Sequence, residues 1–318
     1  MKGPLVIIGA SLIVVLALIG FMFFEERSVA QEVENYNSAI ETPRLIVRSA
    51  QAFILSPANI NYLPIRDFNI SEPIIDARAA IVHDIRSGRT LYALNPDEQM
   101  PIASITKLMT AVVITENLDL DSIYTISAQD LNVDGLGADL YRGEQILGRD
   151  LLKVMLINSA NDAASVFSTE IAKTGYEIVD LMNEKAHDIG MDNTHFNDPA
   201  GLDDGATYST ASDVVTLVRY VNNYPEIWEI LATENDEVAS LDGKLVHKLN
   251  NTNRLLGIVS NIIGGKTGRT EGALGTLALV VDVNDGKDAI ITVVLGAEDR
   301  FGETQTLINW VKNAHTWK

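Results

Sequence analysis

Residues 277–295 read LALVVDVNDGKDAIITVVL. Two apolar, β-branched runs, 277–283 and 289–295, flank Asn284-Asp285-Gly286-Lys287. An Asp-Gly pair between such runs suits a tight hairpin, whose favoured turn needs positive φ at both central positions. The stretch predicts two adjacent antiparallel strands, and Leu241-Asp242-Gly243-Lys244 predicts another hairpin upstream. Further back, residues 79–85 and 90–94 are strand-like and meet at Arg86-Ser87-Gly88-Arg89. Between these ends the pattern is helical. Helices are expected from about 103 to 116, over 151–157 with Asp150 as N-cap, and over 161–173, 176–189 and 212–222. Gly175 and Gly190 sit where a helix-ending glycine belongs. A closing helix is expected over about 303–317. Strands first, helices in the middle and strands last predict one α+β domain over 75–318. Its antiparallel sheet is assembled from both ends and flanked by helices, with an all-helical subdomain between.

The whole chain has 318 residues, 47% hydrophobic and 21% charged, a globular composition. It has no cysteine, which excludes a disulfide scaffold, thiolate metal sites and a cysteine nucleophile. Lys and Arg number 24 against 43 Asp and Glu, a formal charge of −19. That balance argues against a nucleic-acid partner, whose affinity rests on basic side chains meeting phosphate. It also argues against a protein lying flat on anionic lipid. The five histidines show no zinc-protease spacing, and neither a metal nor another cofactor is expected.

Residues 4–24, PLVIIGASLIVVLALIGFMFF, carry no charge. As a helix they span about 31 Å, the thickness of a bilayer core. A cleaved signal peptide is the competing reading, with Ser28-Val29-Ala30 as the site. Its apolar region would usually be only ~7–15 residues, and here Glu25, Glu26 and Arg27 follow the run directly. The segment therefore reads as an uncleaved transmembrane anchor. Lys2 before it and acids after it put a stub, 1–3, in the cytoplasm and the rest outside. Residues 25–74, interrupted by Pro43, Pro57, Pro64 and Pro73, read as an extracytoplasmic spacer.

Three short motifs carry chemistry. Ser104-Ile105-Thr106-Lys107 opens a helix, where residues three apart share a face. A lysine beside a hydroxyl acts as a base if burial or a second cation lowers its pKa. Ser159-Ala160-Asn161 lies at a break between two helices, where either polar residue would also serve as an N-cap. Lys266-Thr267-Gly268 follows Gly264-Gly265 and precedes a strand, where small residues let a substrate backbone approach. The same tripeptide at Lys173-Thr174-Gly175 ends a helix and reads as structural, so context decides its meaning.

In this order the motifs resemble those of the penicillin-recognising serine peptidases and β-lactamases. The runs Asn158-Ser159-Ala160-Asn161-Asp162-Ala163-Ala164, Gly201-Leu202-Asp203-Asp204, Tyr208-Ser209-Thr210-Ala211 and Asn251-Thr252-Asn253 are similar to the D-alanyl-D-alanine carboxypeptidases among them. The likeness covers about residues 75–315. It departs from the family pattern at Arg269-Thr270 and at Glu271-Gly272-Ala273-Leu274-Gly275. Against the small C-terminal β domain and amphipathic tail helix of many members, the catalytic domain is expected to close this sequence, and the N-terminal anchor would replace the tail.

The resemblance implies a β-lactamase/transpeptidase-like fold and a peptidoglycan stem peptide ending in D-Ala-D-Ala as substrate. It implies Ser104 as nucleophile and Lys107 as its base, with Lys266 the second cation that keeps Lys107 neutral. Asn161 would position Lys107 and the substrate amide, and Ser159 would pass a proton to the leaving D-Ala. Lys266, Thr267, Gly268 and Arg269 would bind substrate. The N–H groups of Ser104 and Arg269 would form the oxyanion hole, and β-lactams would be covalent inhibitors. A β-lactamase or a D,D-endopeptidase of the same fold is the alternative enzyme. Residues 190–215 hold five aspartates but no glutamate for fast deacylation, which disfavours the first. A catalytically silent peptidoglycan or β-lactam binding module is the alternative of another class.

Overall fold

A computed structural model describes residues 63–203 and 205–317 of the chain. The stub at 1–3, the expected anchor at 4–24 and the spacer as far as 62 lie outside them. In chain order the elements begin with β1 (Ile65–Arg66), β2 (Ala79–Asp84) and β3 (Thr90–Leu94). A 3₁₀ turn (Ala103–Thr106) then runs into α1 (Lys107–Asn117). Next come β4 (Ile123–Thr125), β5 (Gln145–Leu147), α2 (Gly148–Ile157), α3 (Asn161–Ala172), α4 (Ile178–Asp188), α5 (Ala211–Val221) and α6 (Pro225–Ala232). The chain returns to strands with β6 (Asn235–Ala239), β7 (Val246–Asn250), β8 (Ile262–Thr270), β9 (Leu274–Asp282) and β10 (Ala289–Ala297), and ends on α7 (Arg300–Ala314) and β11 (His315–Thr316).

The main sheet has the order β3-β2-β10-β9-β8, and every neighbouring pair is antiparallel. Strands from both ends of the chain therefore meet, as the hairpin reading requires. Along β9, Leu277, Leu279 and Val281 face one hydrophobic cluster while Ala278 and Val280 face the other. Both faces are apolar because both are covered. Leu307, Ile308, Trp310 and Val311 of α7 lie against one face, and the helical insert packs on the other. Helix α1 is buried continuously from Lys107 to Ile114, so it is the central post of that insert. Such enclosure by neighbours, more than helix propensity, is what holds a short helix in place.

Several elements differ from expectation. Asp150 is not an N-cap; α2 starts at Gly148, and Asp150 lies in its first turn, 3.6 Å from Lys153. The closing helix starts three residues early because Asp299 caps it, accepting from Gly302 N at 3.0 Å. It gives way to β11, which pairs with β1. Ile70 and Ile75 pack on the α7 side of the sheet, so described residues short of 75 are bound to the domain. Helix α6 and the β4–β5 pair went unread. The two Asp-Gly turns lie where expected, with φ of +70° at Gly243 and +79° at Gly286.

Candidate active site

Three segments distant in sequence converge beside β8, an edge of the main sheet. Ser104 lies in the 3₁₀ turn and Lys107 opens α1 one turn later. Lys107 Nζ is 3.1 Å from Ser104 Oγ, as the three-residue spacing requires. It also donates to Asn161 Oδ1 at 2.7 Å and to the Ala200 carbonyl at 2.8 Å. Lys107 is 0% exposed, and burial pushes its amine down to about 7 against the opposing pull of the Asp198 and Asp162 charges.

The Ser159 motif lies at the break between α2 and α3. Ser159 itself has φ of +60°, the left-handed region that costs a side chain strain, and Ala103 beside Ser104 has φ of +49°. Asn161, first residue of α3, donates from Nδ2 to the Asp134 carbonyl at 2.7 Å and from its backbone to Leu136 O at 2.6 Å. Its amide is thereby fixed with the oxygen towards Lys107.

The third motif lies on β8. Lys266 Nζ donates to Ser159 Oγ at 2.8 Å and to the Thr267 carbonyl at 3.0 Å. Its pKa is held well below the ordinary lysine range, first by burial, then by the Lys107 and Arg300 charges. Burial, rather than a second cation, is thus the main cause of the Lys107 shift, and the Lys107 charge in turn disfavours charge on Lys266. Thr267 Oγ1 lies 2.5 Å from Thr252 Oγ1. Gly268 permits a close approach, since a Cβ there would lie 2.8 Å from Ser104 N and 2.5 Å from Thr276 Oγ1. Arg269 is exposed, its guanidinium 3.4 Å from Glu298.

Seven of the eight residues singled out from sequence thus share one locus, joined by hydrogen bonds or close approach. Arg269 joins it through the backbone alone, next to Gly268 on β8. The other tripeptide lies apart: Lys173 caps α3, 63% exposed and 2.7 Å from Glu170. Sequence reading gave no role to Thr252, to Arg300, or to the carbonyls of Asp134, Leu136 and Ala200. Every residue has a carbonyl, so no side-chain signal marks these. Gly201, at φ +78°, marks the last indirectly, since any Cβ there would strike Ala103 O. Asp198 shapes the same turn, accepting from Ala200 N and Gly201 N at 2.7 Å and Leu202 N at 3.0 Å. Among the described residues no three His, Asp or Glu side chains are grouped to hold a metal ion.

A serine and two buried lysines at the edge of an antiparallel sheet, backed by a helical insert, define the penicillin-binding, transpeptidase-like class of α+β protein. Residues 66–299 match the family described as D-alanyl-D-alanine carboxypeptidase, and the chain belongs to it. It is 33% identical over 257 residues to the D-alanyl-D-alanine carboxypeptidase DacC of Escherichia coli, covering 76% of this chain and 62% of that protein. It is 32% identical over 238 residues to a D-alanyl-D-alanine endopeptidase of Pseudomonas aeruginosa, covering 74% and 76%. The crystal structure of the Streptomyces K15 DD-transpeptidase superposes with a TM-score of 0.70 at 26% identity, over 76% of this chain and 99% of that one.

Proposed function

We propose that the protein is a serine-type D-Ala-D-Ala carboxypeptidase that removes the terminal D-Ala from peptidoglycan stem peptides through an acyl-enzyme on Ser104. The observation that carries this is the buried Lys107 amine, 3.1 Å from Ser104 Oγ and lowered to about 7. A lysine so lowered is substantially neutral near neutral pH and has a lone pair for the serine proton. Ser104 attacks the carbonyl of the penultimate D-Ala, and Lys107 takes its proton. The N–H groups of Ser104 and Arg269 face the developing oxyanion. Lys266, through Ser159, relays a proton to the leaving D-Ala nitrogen. The substrate's terminal carboxylate sits by Lys266 and Thr267, with Arg300 adding positive charge nearby. The negative charge of that carboxylate favours the ammonium form of Lys266 once substrate arrives. The acyl-peptide lies along the open edge of β8, as an added strand would. Water then attacks the acyl carbonyl and releases the shortened peptide, its proton restoring Lys266 while Lys107 returns its own to Ser104 Oγ.

The oxygens of Asp198 on the 190–215 segment are taken up by backbone N–H groups, which supports slow deacylation of β-lactams over β-lactamase activity. The likeness to an endopeptidase favours a second reading, hydrolysis of D-alanyl cross-links between stems. We further propose that residues 4–24 anchor the protein in the cell membrane, with 25–74 a spacer whose described part, from β1 on, packs on the catalytic domain, which lies outside. The test is the full chain in detergent, given a stem pentapeptide and, separately, a cross-linked dimer. Release of free D-Ala from the first supports the carboxypeptidase, and cleavage of the dimer alone supports the endopeptidase. Ser104→Ala removes either activity together with labelling by fluorescent penicillin. Labelling that persists in Ser104→Ala identifies a different nucleophile.

A further inference from the structure

His247, on the inner face of the β6–β7 hairpin, is only 7% exposed and lies outside the three motifs. Its Nδ1 lies 3.1 Å from the Ala138 carbonyl and its Nε2 2.8 Å from Glu144 Oε1. The Glu144 side chain is fully buried, and its other oxygen accepts from Tyr141 N at 3.0 Å. A carbonyl offers no proton, so Nδ1 must carry one, and a second must lie between Nε2 and the carboxylate. Ring and carboxylate together grip the 134–144 loop at Ala138, Tyr141 and Glu144.

The same loop supplies the acceptors of Asn161: the Asp134 carbonyl takes its Nδ2 and the Leu136 carbonyl its backbone N–H. Ala138 N, next along, donates to Asp162 Oδ2 at 2.9 Å. A chain of direct contacts thus runs from His247 through the loop to Asn161, Lys107 and Ser104. We propose that His247, paired with Glu144, is a positioning residue that holds the 134–138 backbone against Asn161 and so keeps Lys107 aligned and dry. The inference rests on Ser104 and Lys107 forming the acylation site. Besides Glu144, the charged residues of the 134–144 loop are Asp134, Asp139 and Arg142, those of the hairpin are Asp236, Glu237, Asp242, Lys244 and Lys248, and Asp162 of α3 bonds to the loop at Ala138 N. Of the charged groups only Glu144 is hydrogen-bonded to the ring, whose other nitrogen bonds to the Ala138 carbonyl.

The experiment measures acylation of the full chain by fluorescent penicillin across pH, beside thermal melting, for wild type, His247→Phe and His247→Gln. Gln keeps a donor for Glu144 and guards against a Phe variant that fails to fold. Acylation should slow by about threefold to thirtyfold in His247→Phe, the range for substitutions within a coupled network, and less in His247→Gln. Burial is the main cause of the low Lys107 pKa, so water entering beside Asn161 should move the acid limb to higher pH. Folded variants that acylate like wild type, or slow with an unmoved acid limb, overturn the inference. Wild type that takes no label fails the proposed function instead, so the two failures are distinguishable.

Discussion

Lys107 Nζ has three acceptors around it, Ser104 Oγ, Asn161 Oδ1 and the Ala200 carbonyl, and none is a carboxylate. Without a contacting counter-charge, burial dominates and the neutral amine is favoured. The base is active when deprotonated, so penicillin acylation should rise with pH through about 7; a rate flat from pH 5 to 9 would exclude Lys107 as the base. Lys107→Ala should slow acylation ~10²–10⁴-fold, as loss of a positioned base does. The two Lys-Thr-Gly copies give an internal control. Lys266→Ala should abolish D-Ala release, whereas Lys173→Ala, at an exposed ion pair, should change stability by no more than about 0.5 kcal/mol and leave turnover intact. Equal losses in folded proteins would misplace the site. Gly268→Ala probes the approach of β8 to the Ser104 backbone. Displacing Ser104 by a fraction of an ångström should cost up to about 10²-fold in acylation, read with the same label.

Elements matter here through where their ends fall. The α2–α3 break forces Ser159 into left-handed backbone and starts α3 at Asn161, so both side chains face the lysines. Strand β8 stands at the sheet edge, which leaves one side free of strand pairing for a substrate backbone. The end of the chain has a structural task instead. Trp317 Nε1 donates at 2.9 Å to Asp84 Oδ1, a buried carboxylate at the end of β2. Trp317→Ala leaves that oxygen without its donor, a cost of about 1–3 kcal/mol. Each kcal/mol should lower Tm by about 2–4 °C in a domain of this size. Acylation at 25 °C should be unchanged, because Asp84 lies outside the site; a melting curve identical to wild type would show that the contact contributes nothing.

At the scale of the whole molecule, a chain with a formal charge of −19 carries a site built on two lysines. The expected anchor would fix such a protein to a membrane without basic lipid contacts. The full chain should sediment with membranes and resist carbonate extraction; mature protein in the soluble exported fraction, beginning at Gln31, would show a cleaved signal. The sequence by itself determined the order of strands and helices, the two Asp-Gly hairpins, and the Ser-x-x-Lys spacing. All of these follow from contacts within a few residues, where periodicity and turn chemistry act. It also carried the family likeness, through side chains at fixed spacing. The β1–β11 pairing, the short helix α6 and the start of α2 ahead of Asp150 are not legible in it, because cross-chain pairing and packing decide them, and the early start of α7 at Arg300 is set by the Asp299 cap. The tertiary structure alone decided which Lys-Thr-Gly reaches Ser104, that burial sets the Lys107 proton affinity, and that the Ala200, Asp134 and Leu136 carbonyls and the His247–Glu144 pair hold the site. Backbone acceptors look alike in every sequence, and desolvation depends on how many distant segments close over one side chain.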